Sequence, residues 1–87
     1  MSDFMVVATF KPGTDMAQVM ALVEEEKAAV KQLQDAGRIG KIYLAVPKGK
    51  VFIETLETDD AGAHVAVSEL PMSVFWDLEA FPLSGRA

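Results

Sequence analysis

The stretch FMVVATF, residues 4–10, is rich in β-branched and aromatic residues and contains no turn former. That composition predicts a β-strand. Because side chains alternate along a strand, both sides of this one are mostly apolar: Phe4, Val6, Ala8 and Phe10 lie on one face, and Met5, Val7 and Thr9 on the other. Both faces of the sheet that contains this strand must therefore be shielded from water by packing against something else.

The elements that follow alternate in type. KPGTD ends the strand, and Thr14 or Asp15 can cap a helix that runs to about Ala36 and stops at Gly37. The remaining pattern predicts a strand over Ile39–Val46, a turn at PKGK and a strand over Val51–Glu57. A shorter helix follows from TDDAG to about Leu70, and the last strand covers Ser73–Phe81. The order βαββαβ predicts one α+β domain over residues 1–87, ferredoxin-like, with a four-stranded antiparallel sheet and two helices on one face.

Two helices can cover only one face of such a sheet. The other face would leave an apolar patch of a size that monomers rarely expose, and either alternating set of the first strand could lie on it. We therefore expect a homodimer in which two sheets pack together as a dimeric α+β barrel. A lipid or another protein is the alternative cover.

Composition excludes several classes of function. The chain has 87 residues, a net charge of -5, one His and no Cys. The negative charge argues against nucleic acid and against an anionic membrane surface, and the missing Cys excludes disulfides and thiolate chemistry. One His and no glycine-rich phosphate loop predict no metal and no organic cofactor. With no signal peptide pattern and no apolar run near 20 residues, we expect a cytoplasmic protein that binds a small molecule.

Charge interrupts the apolar stripe of the first helix. The stripe steps through five apolar residues: Met16, Val19, Val23, Val30 and Leu33. On a helical wheel with Val23 at zero, Glu26 falls at about -60° and Lys27 at about +40°, both inside the stripe. Glu25 falls on the solvent side, and Glu24 can pair with Lys27.

Glu26 then has two interpretations. It can face a cavity, where burial would raise the pKa of its carboxyl and suit it to acid/base catalysis. Alternatively, it sits at the edge of the stripe and pairs with a residue of the sheet such as Lys41. Lys27 can contact a substrate or extend along the surface to water.

Two motifs resemble one family. EKAAVKQLQDAG in the first helix and AHVAVSELPMSVFWDLEAFPL near the end of the chain are similar to the muconolactone isomerase family over nearly the whole chain. The resemblance implies the dimeric α+β barrel fold and a cofactor-free isomerase that moves a proton within an unsaturated lactone. It also implies dimers that can assemble into larger rings. Glu26 matches the family's helix glutamate, which would transfer the proton.

Four further residues are candidates for the site. His64 matches the family and could shuttle a proton, or lie exposed on its helix. Lys41 could meet a substrate carboxylate, while Tyr43 and Trp76 could line the pocket or belong to the core or an interface. If Trp76, Tyr43 and His64 are the working residues, a cofactor-free monooxygenase or cyclase of the same fold is the alternative. A non-catalytic, ligand-binding oligomeric module is the third possibility.

Overall fold

One antiparallel sheet of four strands carries three helices. The computed structural model describes residues 3–57 and 59–83, so Thr58, in the predicted helix start TDDAG, and both ends of the predicted 1–87 domain lie outside the description. The strands are β1 Phe4–Phe10, β2 Ile39–Ala45, β3 Lys50–Thr55 and β4 Trp76–Pro82. The helices are α1 Met16–Ala21, α2 Val23–Asp35 and α3 Asp60–Ser68. Among the described residues, no helix has the length and apolar character needed to cross a bilayer.

The strand order across the sheet is β2-β3-β1-β4, and each neighbouring pair is antiparallel. Val6 at the centre of β1 lies opposite Ile53 of β3 and Ala80 of β4. The chain order β-α-α-β-β-α-β makes this an α+β arrangement that is compatible with a ferredoxin-like fold.

The helices cover the face of β1 that carries Phe4, Val6 and Ala8. These three residues are buried in one cluster with residues of the other strands and with the inner sides of α2 and α3, namely Leu33, Ile39, Val51, Ile53, Ala63, Ala66 and Val67. Thr55 is buried in the same layer, and its hydroxyl donates a hydrogen bond to the Phe4 carbonyl at 2.9 Å. This layer is the hydrophobic core, and it fixes which side of each strand the helices meet.

The opposite face of the sheet, here called the outer face, remains apolar at its centre. In register across it lie Tyr43, Phe52 and Val7, with Met5 and Phe81 in the next row. Tyr43 and Phe81 keep 46% and 43% of their surface exposed. The homodimer expected from the sequence would cover this face, and it stays a prediction.

The predicted single helix from Thr14 or Asp15 to Ala36 is wrong, because the structure divides it at Leu22. Asp15 caps α1 by accepting the Ala17 N–H at 2.9 Å. Leu22 then leaves the helical conformation, with φ -97° and ψ 0°, and α2 begins at Val23. The first turn of α2 consequently holds Glu24, Glu25 and Glu26, where carboxylates favour the positive end of the helix dipole.

Other boundaries also move. The last strand begins at Trp76 and not at Ser73, because Pro71–Phe75 forms a 3₁₀ turn with proline at its start. The second strand ends at Ala45 and not at Val46, because another 3₁₀ turn covers Val46–Lys48. The predicted helix end at Gly37 is confirmed: this glycine has a φ of +73°, in the left-handed region where glycine ends helices.

A cavity between helix α2 and the sheet

A cavity of about 390 Å³ lies between α2 and the inner face of the sheet. Helix α2 lines it with one face, through residues spaced three or four apart: Val23, Glu26, Lys27, Val30, Lys31 and Gln34. The strands and the 3₁₀ turn before β4 line the other side with Ile42, Leu44, Val51, Met72 and Trp76. The volume and the mostly apolar wall suit a small organic molecule.

Leu44 shows where the cavity meets solvent. It pairs with Val51 on the inner face of the sheet, yet 69% of its surface is exposed. Lys27 and Lys31 are exposed on the helix across from it. Helix α2 therefore packs against the sheet at Leu33, which is buried in the core, and the cavity opens to solvent on the β2 side.

Glu26 lies on the cavity wall and is half-buried. Its Oε1 accepts the backbone N–H of Met72 at 2.9 Å. Burial raises the pKa of the Glu26 carboxyl, and the Met72 N–H opposes that shift to a smaller extent. Among the described residues no cation pairs with Glu26, so the alternative pairing with Lys41 is not found.

Trp76 lines the wall and is almost completely buried. The residue is 5% exposed, and its ring meets the Phe10 ring edge to face, with centroids 6.2 Å apart and an interplanar angle of 82°. Its indole Nε1 is buried and has no hydrogen-bond partner within residues 3–57 and 59–83. The described cavity wall therefore carries one carboxyl group and one indole ring, with the polar side chains Lys27, Lys31 and Gln34 along α2.

The polar side chains at the mouth already have partners. Lys27 lies 3.9 Å from Glu24, and Lys31 lies 3.3 Å from Asp35. Both pairs are exposed, so each stabilises the helix only slightly. Gln34 donates a hydrogen bond to the Gly40 carbonyl at 2.9 Å, which ties α2 to the irregular start of β2.

The structure brings three of the six predicted site residues together and places three elsewhere. Glu26, Lys27 and Trp76 share the cavity. Tyr43 lies on the outer face, paired with Phe52. The remaining two are on other surfaces: His64 Nδ1 is 3.0 Å from the Asp60 carbonyl oxygen and from Asp60 Oδ1, and Lys41 is exposed on β2.

Sequence reasoning missed the partner that holds Glu26. Met72 is 46 residues away, and nothing in its neighbourhood marks its N–H as a ligand of a carboxylate. Lys31 and Gln34 could have been found by continuing the helical wheel one turn beyond Lys27. Leu44 could have been found only with the register of β2 against β3.

No cluster of three or more His, Cys, Asp or Glu side chains suited to a metal ion occurs in the described part of the chain. No protein-family model matches the sequence, and a comparison with curated proteins finds no match either.

Proposed function

We propose that the protein is a cofactor-free isomerase that moves a proton within a small unsaturated lactone or a related carbonyl compound. The observation that carries the proposal is Glu26: a half-buried carboxyl on an apolar cavity wall, with a raised pKa and no cationic partner among the described residues. A carboxyl in such a place can accept a proton near neutral pH and return it. The resemblance of EKAAVKQLQDAG to muconolactone isomerases supports the same assignment.

The reaction conserves every atom and needs no oxidant. Ionised Glu26 takes a proton from the carbon next to the carbonyl of a β,γ-unsaturated lactone. The C–H electron pair moves toward the carbonyl oxygen and gives a dienolate. The protonated carboxyl then returns the proton to the far end of the conjugated system, the double bond moves into conjugation with the carbonyl, and Glu26 is ionised again.

The surroundings of Glu26 fit this role. The Met72 N–H holds Oε1 at 2.9 Å and so orients the carboxyl. Within the described residues Oε2 accepts no hydrogen bond, which leaves it to carry the proton. Lys27 at the mouth can contact an anionic substituent of the substrate. Tyr43 and His64, which a monooxygenase or cyclase would use, lie outside the cavity, and this favours the isomerase.

We also propose that the active form is a homodimer with the dimeric α+β barrel arrangement, in which two outer faces pack together. The support is the apolar row of Tyr43, Phe52 and Val7 at the centre of that face. Two exposed aromatic side chains there would be buried in the dimer.

Exchange of solvent deuterium into α-angelica lactone tests the isomerase. Wild-type protein in D₂O should convert this β,γ-unsaturated lactone to its conjugated isomer, as followed by NMR, and should label the product to the extent that the proton held by Glu26 exchanges with solvent before its return. Glu26→Gln should lower the rate by roughly 10²–10⁴-fold, the usual contribution of a positioned acid or base. Glu25→Gln removes the same charge one residue away, on the exposed side of α2, and should keep the rate.

Two outcomes would contradict the proposal. Equal rates for wild type and Glu26→Gln would remove Glu26 from the chemistry. Binding of the lactone with neither isomerisation nor exchange above the buffer rate would instead indicate a ligand-binding module.

A further inference from the structure

One carboxylate oxygen of Glu26 has no partner among the described residues and is accessible. Its Oε1 accepts the Met72 N–H at 2.9 Å, whereas its Oε2 accepts no hydrogen bond from them. In residues 3–57 and 59–83 the only buried side-chain nitrogen or oxygen without a partner is Trp76 Nε1. Oε2 of the half-buried Glu26 therefore keeps accessible surface. Because the residue lines a cavity that opens to solvent, a small molecule in the cavity can reach this oxygen.

The described cavity wall offers Glu26 no positive charge within ion-pair distance. Lys27 and Lys31 are exposed at the mouth of the cavity, and their ammonium groups lie 3.9 Å from Glu24 and 3.3 Å from Asp35. The sheet and the 3₁₀ turn line the cavity with uncharged side chains only: Ile42, Leu44, Val51, Met72 and Trp76. The wall thus combines one accessible carboxyl with a mainly apolar surface opposite α2.

A cation is the partner that an ionised Glu26 lacks. Burial opposes its ionisation, and the Met72 N–H offsets only part of that cost. Charge-assisted hydrogen bonds are stronger than neutral ones, and they gain further where water is partly excluded. The positive end of the helix dipole would oppose a cation here, but Glu24 and Glu25 in the same turn place two more negative charges beside it. An ammonium group on an apolar body can satisfy the carboxylate and pack against the apolar wall together.

We propose that the cavity binds small apolar amines as their ammonium ions, with the ammonium group donating to Glu26 Oε2 and the hydrocarbon part lying against the apolar wall. This ligand class differs from the lactone of the proposed reaction, and its binding does not depend on that reaction. It requires only the ionised carboxyl and the cavity. Where the protein also isomerises a lactone, the amine occupies the base and inhibits competitively.

Two probes with one skeleton test the assignment. At pH 8, 2-aminoindane is an ammonium ion, and 2-indanol carries a neutral hydroxyl on the same carbon. We expect wild-type protein to bind the amine about 5- to 10-fold more tightly than the alcohol, the difference between a charge-assisted and a neutral hydrogen bond. Chemical-shift titrations of ¹⁵N-labelled protein measure both affinities. In Glu26→Gln the two probes should bind within about twofold of each other.

A matched variant separates the position of the charge from the total charge. The chain has a net charge of -5 and attracts any cation weakly. Glu25→Gln removes one negative charge from the exposed side of α2 and should keep the preference for the amine. A preference that is absent from wild type, retained in full by Glu26→Gln, or lost equally in both variants would overturn the inference. No binding of either probe would overturn it as well.

The pH dependence of wild type gives a measurement that does not require the Gln variant to fold. Burial raises the pKa of Glu26 above 4.5, and the ammonium group binds the ionised form. Amine binding should therefore weaken as the pH falls from 8 to 4.5, while 2-indanol binding changes little. The other charged groups near the described wall are Lys27 and Lys31 with their partners Glu24 and Asp35. An amine affinity that stays constant over this range would count against the inference.

The result is separable from the isomerase test. A protein that prefers the amine through Glu26 but isomerises no lactone keeps this inference and loses the proposed reaction. A protein that isomerises the lactone through Glu26, with no preference for the amine and no inhibition by it, keeps the reaction and loses this inference.

Discussion

Replacement of Glu26 by Gln and by Met separates the two properties of its carboxyl, its charge and its acceptor oxygen. Gln keeps an oxygen that can accept the Met72 N–H and removes the charge. Met has a similar length and removes both. The structure therefore predicts different stabilities for two variants of nearly equal side-chain size.

The charge contributes a pH-dependent penalty. The folded-state pKa of Glu26 is raised above its ordinary value of 4.5. Below that value the carboxyl is protonated in the folded and unfolded chains alike, so it adds no difference. As the pH rises from there through the folded-state pKa, ionisation becomes more costly in the folded chain, and wild type loses stability relative to Glu26→Gln. At neutral pH the Gln variant should be at least as stable as wild type.

The Glu26 oxygen that accepts the Met72 N–H stabilises the folded protein. In Glu26→Met the part-buried Met72 N–H loses its partner, which should make this variant less stable than Glu26→Gln by about 1 kcal/mol or more. For a domain of this size that corresponds to about 4–8 °C in Tm. Differential scanning calorimetry of the three proteins between pH 4 and pH 8 measures both effects.

The outcome that would refute this reasoning is a marked loss of stability in Glu26→Gln at neutral pH. It would mean that the ionised carboxyl is stabilised in the folded protein by a cation, and that Glu26 is structural. A Tm difference between Gln and wild type that narrows as the pH rises would also refute it, because the sign of the pKa shift would then be reversed.

Three other predictions address the fold and the assembly. Asp59→Ala removes the carboxylate that accepts the Gly62 N–H at 2.6 Å and caps α3, so it should cost about 1 kcal/mol of stability in denaturant titrations; an unchanged midpoint would contradict the capping. Gly40→Ala would place Cβ 2.9 Å from Glu54 Oε1, the oxygen that accepts the Lys41 N–H, and should lower the free energy of unfolding by a similar amount; a variant as stable as wild type would count against it. Val7→Lys on the outer face should convert a wild-type dimer to a monomer of 9.4 kDa in sedimentation velocity, and a wild type that already sediments as a monomer at micromolar concentration would end the dimer proposal.

Local patterns were sufficient to predict the elements and to divide the first strand into two faces, but not to say which face the helices cover. Alternation in FMVVATF places Phe4, Val6 and Ala8 together, and the structure buries these three under the helices. The break at Leu22 was missed because the residues on both sides of it are good helix formers with continuous periodicity. The start of β4 was misplaced because Ser73–Phe75 is apolar and extended in pattern, while Pro71 initiates a 3₁₀ turn that continues to Phe75.

Three of the six predicted site residues lie at the cavity. Patterns within one element of the chain can be found in the sequence, whereas contacts between distant elements cannot. Glu26 and Lys27 were found because a helix repeats every 3.6 residues, so a charge inside the apolar stripe is visible in the sequence itself. Lys41 and Tyr43 were chosen by residue chemistry and His64 by its match to the family, and only the register of the sheet and the position of α3 show that the three lie outside the cavity.

The helix break joins the fold to the proposed chemistry. Because α2 begins at Val23, the glutamates at 24–26 occupy its first turn, where carboxylates stabilise the helix. Two of them, Glu24 and Glu25, are exposed and serve the helix alone. The same turn places Glu26 on the cavity wall between Val23 and Val30, where its carboxyl accepts the Met72 N–H. The charge in the apolar stripe thus contributes to the start of a helix and lines a cavity with a group that a packed core would exclude.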